Sequence, residues 1–191
     1  MTETNPVLDF LLSRRSKPAA ALTAPAPEGE DLDRLLTAAA RVPDHGALVP
    51  WRFALIGDGA RARLAALIRA RGPVLGIDPA KTEKSAKSWE GAPLIVAVVA
   101  APVASEKAPE FEQLMSAGAV CSALVNAALA SGWGAAWITG WAAFDRVFVE
   151  QGLGLAPHER IAGFIHLGRC DTPVADRPRP DLAAIVRRID A

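Results

Sequence analysis

Apolar positions along the chain follow two rhythms, one helical and one of unbroken strand-like runs. Asn5-Pro6 reads as an N-cap with proline at the first helical position, and Val7, Phe10 and Leu11 share one face behind it. That spacing predicts a helix to about Arg14 or Arg15, ending before Pro18. PAPEGEDLDRLL reads as a loop and an acidic helix start, so a second helix is expected over about residues 31–40, with Leu32, Leu35 and Leu36 inward. After the loop RVPDHGALVPW comes a strand candidate, 52–56, then a helix over about 60–71 and a lysine-rich amphipathic helix over 81–89. PLIVAVVAA from Pro93 is β-branched and unbroken, as a central strand covered on both faces would be. The longest predicted helix spans 110–131 and ends at Gly132–Gly134. AAWIT from Ala135 and IAGFIHLG from Ile161 are two more buried strands, with a helix near 145–151 between them. The tail VADRPRPDLAAIVRRI is extended at its prolines and then amphipathic. Four strands interleaved with five or more helices, and no repeat or low-complexity linker, predict one mixed α/β domain over residues 1–191.

Composition adds an oligomer to this picture. The apolar fraction is 51%, and 15 glycines come on top of it, above the roughly 45–50% usual for soluble domains counted with glycine. Much of the excess is alanine, 39 residues, which suggests more apolar surface than one small core needs. Charge excludes other classes. Lys plus Arg and Asp plus Glu number 21 each, with only five lysines, so no broad basic field invites nucleic acid or an anionic membrane. Cys121 and Cys170 lack a CxxC pattern, and with three histidines they make neither a disulfide framework nor a zinc site. The N-terminus MTETNPVLDF is acidic where a signal peptide would be basic, which reads as a cytoplasmic location. The stretch 117–138 is long enough to span a bilayer, but its Ala, Gly and Ser content, broken by Ser122, Asn126 and Ser131, fits a closely packed helix better.

One motif competes for the cofactor. GDGARA, with Gly57, Gly59 and Ala62, follows a predicted strand and opens a helix, and Asp78 comes about twenty residues later, as in a dinucleotide-binding fingerprint. WRFALI, however, begins with an arginine and alternates, unlike a central parallel strand. The second strand would be VLGI alone, bracketed by Pro73 and Pro79. A tight turn into a surface helix that carries Arg61 is the better expectation.

Three other segments point elsewhere. Arg14-Arg15-Ser16 places two guanidinium groups and a hydroxyl within one turn, a fork suited to a phosphate monoester, although basic residues at a helix end also simply complement its dipole. The second segment is Arg41-Val-Pro-Asp-His45 with Pro50-Trp51, and the third is the WITG turn, residues 137–140. LLSRRS, AARVPDHGALVPWRF, MSAGAVCSALVNAALASGWGAAWITG and GFIHLG, in that order, resemble the FMN-dependent nitroreductases, and among them a short bacterial branch. The resemblance covers nearly the whole chain.

The resemblance implies an α+β fold with a central, mostly antiparallel sheet flanked by helices, in an intertwined homodimer with two FMN sites at its interface. It implies that Arg14, Arg15 and Ser16 hold the ribityl phosphate and the pyrimidine edge of FMN, and that Arg41 and His45 approach from the partner. Trp137, Ile138, Thr139 and Gly140 would lie along the isoalloxazine ring, and Arg177 and Arg179 would supply further phosphate contacts. The stretch Ser131, Gly132, Trp133 and Gly134 matches the one that lies against the nicotinamide in relatives; ordinary packing is the other reading for Trp133 and Trp141. His45 also has an alternative as an interfacial hydrogen bonder. The implied activity is ping-pong hydride transfer from NADH or NADPH to a nitroaromatic or similar acceptor, with no metal and no protein acid, base or nucleophile. Ala47, Leu48 and Val49 replace polar residues common in relatives before the Pro-Trp pair, and Thr139 stands where longer relatives have Glu; both changes make the acceptor side less polar. FMN storage or sensing without turnover, reductive dehalogenation and flavin fragmentation stay open as alternatives.

Overall fold

A computed structural model describes residues 5–189. Helix α1 (Pro6–Ser13) starts as its sequence dictates: the Asn5 side chain accepts from the backbone N–H groups of Val7 and Leu8 at 3.1 Å each. It ends one or two residues before the expected limit, so Arg14 caps it and Arg15 lies beyond it on the connector to a short 3-10 turn at Ala19–Ala21. No residue of α1 is buried, and Val7, Leu8, Leu11 and Leu12 stay exposed, so its apolar face is open in the isolated chain.

Strands β1 (Trp51–Ile56), β2 (Leu94–Ala100), β3 (Gly134–Ile138) and β4 (Arg160–Gly168) form one sheet in the order β1-β2-β4-β3, with every pair antiparallel. The β-branched run of β2 and the buried strand β4 take the central places, and a bulge at Val98/Val99 breaks their register. One face packs against α3 (Asp58–Val74) and α4 (Pro79–Glu90), with Leu64, Ile68, Trp89, Phe148 and Phe164 at its centre. The other is covered by α2 (Gly29–Ala39) and α5 (Glu110–Ala130), through Leu35, Val120, Leu124, Val96 and Ile165. This α+β sandwich meets the fold expectation.

Helix α5 is long and apolar enough to cross a membrane, but Gln113, Ala117, Val120, Cys121, Leu124, Val125 and Ala128 pack it inward as a core helix. Burial pushes the Cys121 thiol up to about 12, consistent with a residue that fills space. Outward, the helix leaves Phe111 and Met115 bare.

The dinucleotide alternative fails on topology. β1 is an antiparallel edge strand, VLGI forms the end of α3 and a turn, and the space where Cβ atoms of Gly57 and Gly59 would point is open. Arg61 also departs from expectation: it is buried, donates to the Pro93 carbonyl at 2.9 Å and pairs with Asp58, bracing the start of α3. The helix expected near 145–151 is present, chiefly as a π-helical segment at Phe148–Gly152; a 3-10 turn at Trp141–Phe144 precedes it, and the Arg71–Asp145 pair at 2.6 and 2.9 Å fixes the junction. The tail forms only a four-residue helix, α6 (Leu182–Ile185), and its Leu182, Ile185, Val186 and Ile189 are exposed.

Candidate active site

The connector after α1 and the tail before α6 meet through arginines. Arg14 Nη2 donates to Ser16 Oγ at 2.9 Å. Arg15 donates to the Ala175 carbonyl and lies 3.4 Å from Asp176 Oδ1, and that same oxygen receives Arg179 Nη2 at 2.8 Å. Two guanidinium groups therefore converge on a single carboxylate, with the Arg14 guanidinium near them. Burial first, and then the charges of Arg179 and Arg15, hold the Arg14 guanidinium below its ordinary value. Arg14 Nε is buried with no hydrogen-bond partner. An orphaned donor beside unneutralised positive charge is a place where an anion would be stabilised.

A backbone bond ties this cluster to the sheet. Lys17 N–H donates to the Ala135 carbonyl at 2.9 Å, which lays the connector against edge strand β3. β3 ends in Trp137 and Ile138, followed by Thr139 and Gly140. Trp137 is half-exposed and its indole covers Gly163 of β4 so closely that a Cβ there would meet Nε1 at 2.1 Å; only a residue without a side chain leaves it that room. Gly140 has φ 64°, a left-handed conformation that turns the chain sharply off the strand and leaves its backbone open.

Arg41 and His45 do not join the cluster. Arg41 is exposed beside the groove between α2 and α5, and His45 Nδ1 lies 2.8 Å from Glu112 Oε2. The loop between them is clasped to α5 by Ser116 Oγ donating to the Pro43 carbonyl at 2.9 Å. The chain just beyond His45 stores strain: Ala47 and Val49 have φ of 52° and 48°, and Val49 N–H is held by Asp44 Oδ2 at 2.8 Å. Ser131 and Gly132 are exposed at the end of α5, whereas Trp133 is buried with the Arg169 guanidinium 3.9 Å over its ring, and Gly134 is hemmed by Leu22 and Cys170. Arg177 is exposed, and its backbone N–H supports the Asp176 carboxylate.

The nitroreductase family model matches residues 11–169. The chain is also 37% identical, over 161 residues, to the protein of Escherichia coli K12 provisionally named NAD(P)H nitroreductase YdjA, with 84% of this chain and 86% of that one covered. The chain belongs to the nitroreductase family. Among solved structures, a nitroreductase-like protein from Bacillus cereus shares the fold at TM-score 0.80 and 22% identity over the full length of both chains. A protein from Desulfovibrio desulfuricans, solved in complex with FMN and assigned to the nitroreductases, matches at TM-score 0.75 and 23% identity over 98% of each chain.

In this nitroreductase-family chain, the fold thus gathers Arg14, Arg15, Ser16 and Arg179 and places them beside the strand that carries Trp137 and Ile138. The sequence reading missed Asp176, which organises two of those arginines, and Glu112, which holds His45. An acid directly before the two arginines of ADRPR was the available signal for the first. For Glu112, 67 positions from His45, there was none.

Proposed function

We propose that the chain is an FMN-dependent NAD(P)H oxidoreductase that works as a homodimer, each FMN site drawing on both subunits. The observation that carries this reading is Arg14 Nε, buried and unpartnered beside Arg15 and Arg179. A ribityl phosphate or the electron-rich pyrimidine edge of a flavin satisfies such a site, because guanidinium groups give paired donors to a planar or phosphate acceptor. When bound, FMN would take hydride from NADH or NADPH at N5 and pass reducing equivalents to a nitroaromatic or similar acceptor in ping-pong order.

The chain's own residues position and neutralise. Arg14 and Arg15 offset negative charge at the pyrimidine edge or phosphate, and Ser16 fixes the plane of the Arg14 guanidinium by accepting from Nη2. Arg177 and Arg179 add phosphate donors once Asp176 yields its hold on Arg179. Trp137, Ile138 and Thr139 flank the ring, with the open backbone at Gly140 as a neutral donor. The exposed turn at Ser131 and Gly132 is the part of its stretch that a nicotinamide can reach. Arg41 and His45, remote from the cluster within one chain, would complete the partner's site, and the bare faces of α1 and α5 supply the apolar surface for that assembly.

The test is spectroscopic. Purified protein titrated with FMN is expected to quench flavin fluorescence, and anaerobic NADH or NADPH is expected to bleach the bound flavin. A colourless protein that leaves free FMN unquenched refutes the cofactor; quenching without bleaching by either nucleotide favours storage or sensing.

A further inference from the structure

A cavity of about 780 Å³ opens between the connector that follows α1 and helix α4. Pro18, Ala19, Ala20 and Ile138 give it apolar walls, and Glu83, Lys84 and Lys87 stand along its α4 side. The volume lies in the range of small-molecule sites, which combine apolar walls with a few placed polar groups. Ile138 belongs to the β3 end assigned above to the flavin ring, so the cavity adjoins that position.

The charge on this wall follows from what happens to the acids of α4. Arg69 of α3 grips Glu83 at 2.8 and 3.0 Å and Glu90 at 2.6 and 2.9 Å. The Arg69 hydrogen bonds hold both carboxyls below their ordinary range, so they stay ionised and committed to Arg69. Lys87 reaches Glu83 only at 3.9 Å, and Lys84 makes no ion pair among the described residues. Arg69 offsets one of these two carboxylates, so Lys84 and Lys87 together leave this wall of the cavity with a net positive charge even with Glu83 in its lining.

We propose that this cavity receives the acidic end of the flavin's small-molecule partner: a compact, largely apolar body carrying a carboxylate or phosphate, which Lys84 and Lys87 hold. The role of that molecule rests on the flavin reading; its binding rests on this chain alone. The acidic end could come from the acceptor or from the phosphates of the nicotinamide donor, and the two are separable.

The experiment compares wild type with the double substitution Lys84→Gln, Lys87→Gln by calorimetric titration of 4-nitrobenzoate, its neutral analogue 4-nitrobenzamide, NADH and NADPH. Wild type is expected to prefer the carboxylate, and the double variant to lose roughly fivefold of that preference, the scale of two partly exposed ion pairs. Raising the salt concentration on wild type should erode the same preference without any substitution. Loss for nitrobenzoate alone assigns the lysines to the acceptor, and loss for the dinucleotides alone assigns them to the donor. A double variant that binds all three anions as wild type does overturns the proposal. If the protein fails to hold FMN, the nitrobenzoate titration still reads the cavity, so the two readings fail separately.

Discussion

Replacing Arg14 by alanine should weaken FMN binding by one to two orders of magnitude. Of the groups on this guanidinium, Nη2 is bonded to Ser16 Oγ and Nε is buried without a partner, so the donor left for a ligand is directional as well as charged. A hydrogen bond to a charged group contributes about 1.5–3 kcal/mol, which corresponds to a Kd about 10- to 150-fold higher on its loss. Arg14→Lys separates the two components: it keeps the charge near Arg15 and Arg179 and removes Nε, so its Kd should fall between those of wild type and Arg14→Ala. The Arg14→Ala deficit should shrink in 0.5 M salt, because the cluster is only partly shielded from solvent, while the gap between arginine and lysine persists. Fluorescence quenching of FMN at several salt concentrations reads all three Kd values. Equal affinity in wild type and Arg14→Ala would refute the site; equal affinity in wild type and Arg14→Lys would refute the role of the buried Nε.

Asp176 competes for Arg15 and Arg179, so Asp176→Asn should lower the Kd for FMN in the same assay; a raised Kd would mean that the carboxylate orders the arginines rather than occupying them. His166 is fully buried with both ring nitrogens unpartnered, and burial pushes it from 6.5 down to about 4. The unfolded chain binds that proton more tightly, so the stability is fully present above about pH 6.5 and drains as pH falls toward 4, by up to about 1.4 kcal/mol per pH unit. Denaturant midpoints between pH 7 and pH 4.5 should fall less steeply in His166→Leu, and parallel curves would contradict this. Val49→Asn places a residue tolerant of left-handed backbone where φ is 48° and the side chain is exposed; its melting midpoint should rise, by about 2–4 °C for each kcal/mol of strain removed. Finally, Arg14→Ala and Arg41→Ala subunits, each defective alone, should regain about a quarter of wild-type turnover when mixed as equal random dimers, since half the dimers carry one intact site. No recovery on mixing would defeat a site shared between subunits.

Legibility in the sequence followed the range of the interactions. The N-cap at Asn5, the central β2 and β4 and the long α5 were readable because each rests on neighbours within a few positions or on an unbroken apolar run. Arg61 was misplaced on the surface because its partner Pro93 lies 32 positions away. The helix near 145–151 was readable, but its π form and the 3-10 turn before it were not, since the distant Arg71 fixes Asp145 at their junction. Within the site, the fork Arg14-Arg15-Ser16 was visible as residue types, but its charge balance was not. Arg15 meets Asp176 across 161 positions, and Arg69 ties up both acids of α4 from the preceding helix.

The same long-range logic connects the alanine excess with the proposed shared site. Helix α5 buries small residues such as Ala117 and Ala128 inward yet leaves Phe111 and Met115 outward, so part of its apolar surface is uncovered in the single chain. Helix α1 repeats the pattern in a stronger form, with four exposed large apolar residues and none buried. Arg14 and Arg15 directly follow α1, and His45 is pinned to the first turns of α5 by Glu112. A second copy covering those faces would therefore set, in one step, both the buried area that stabilises the assembly and the distance between the halves of the site. Substitutions such as Leu12→Glu or Met115→Glu would then act on flavin affinity through assembly, with no contact to the flavin itself.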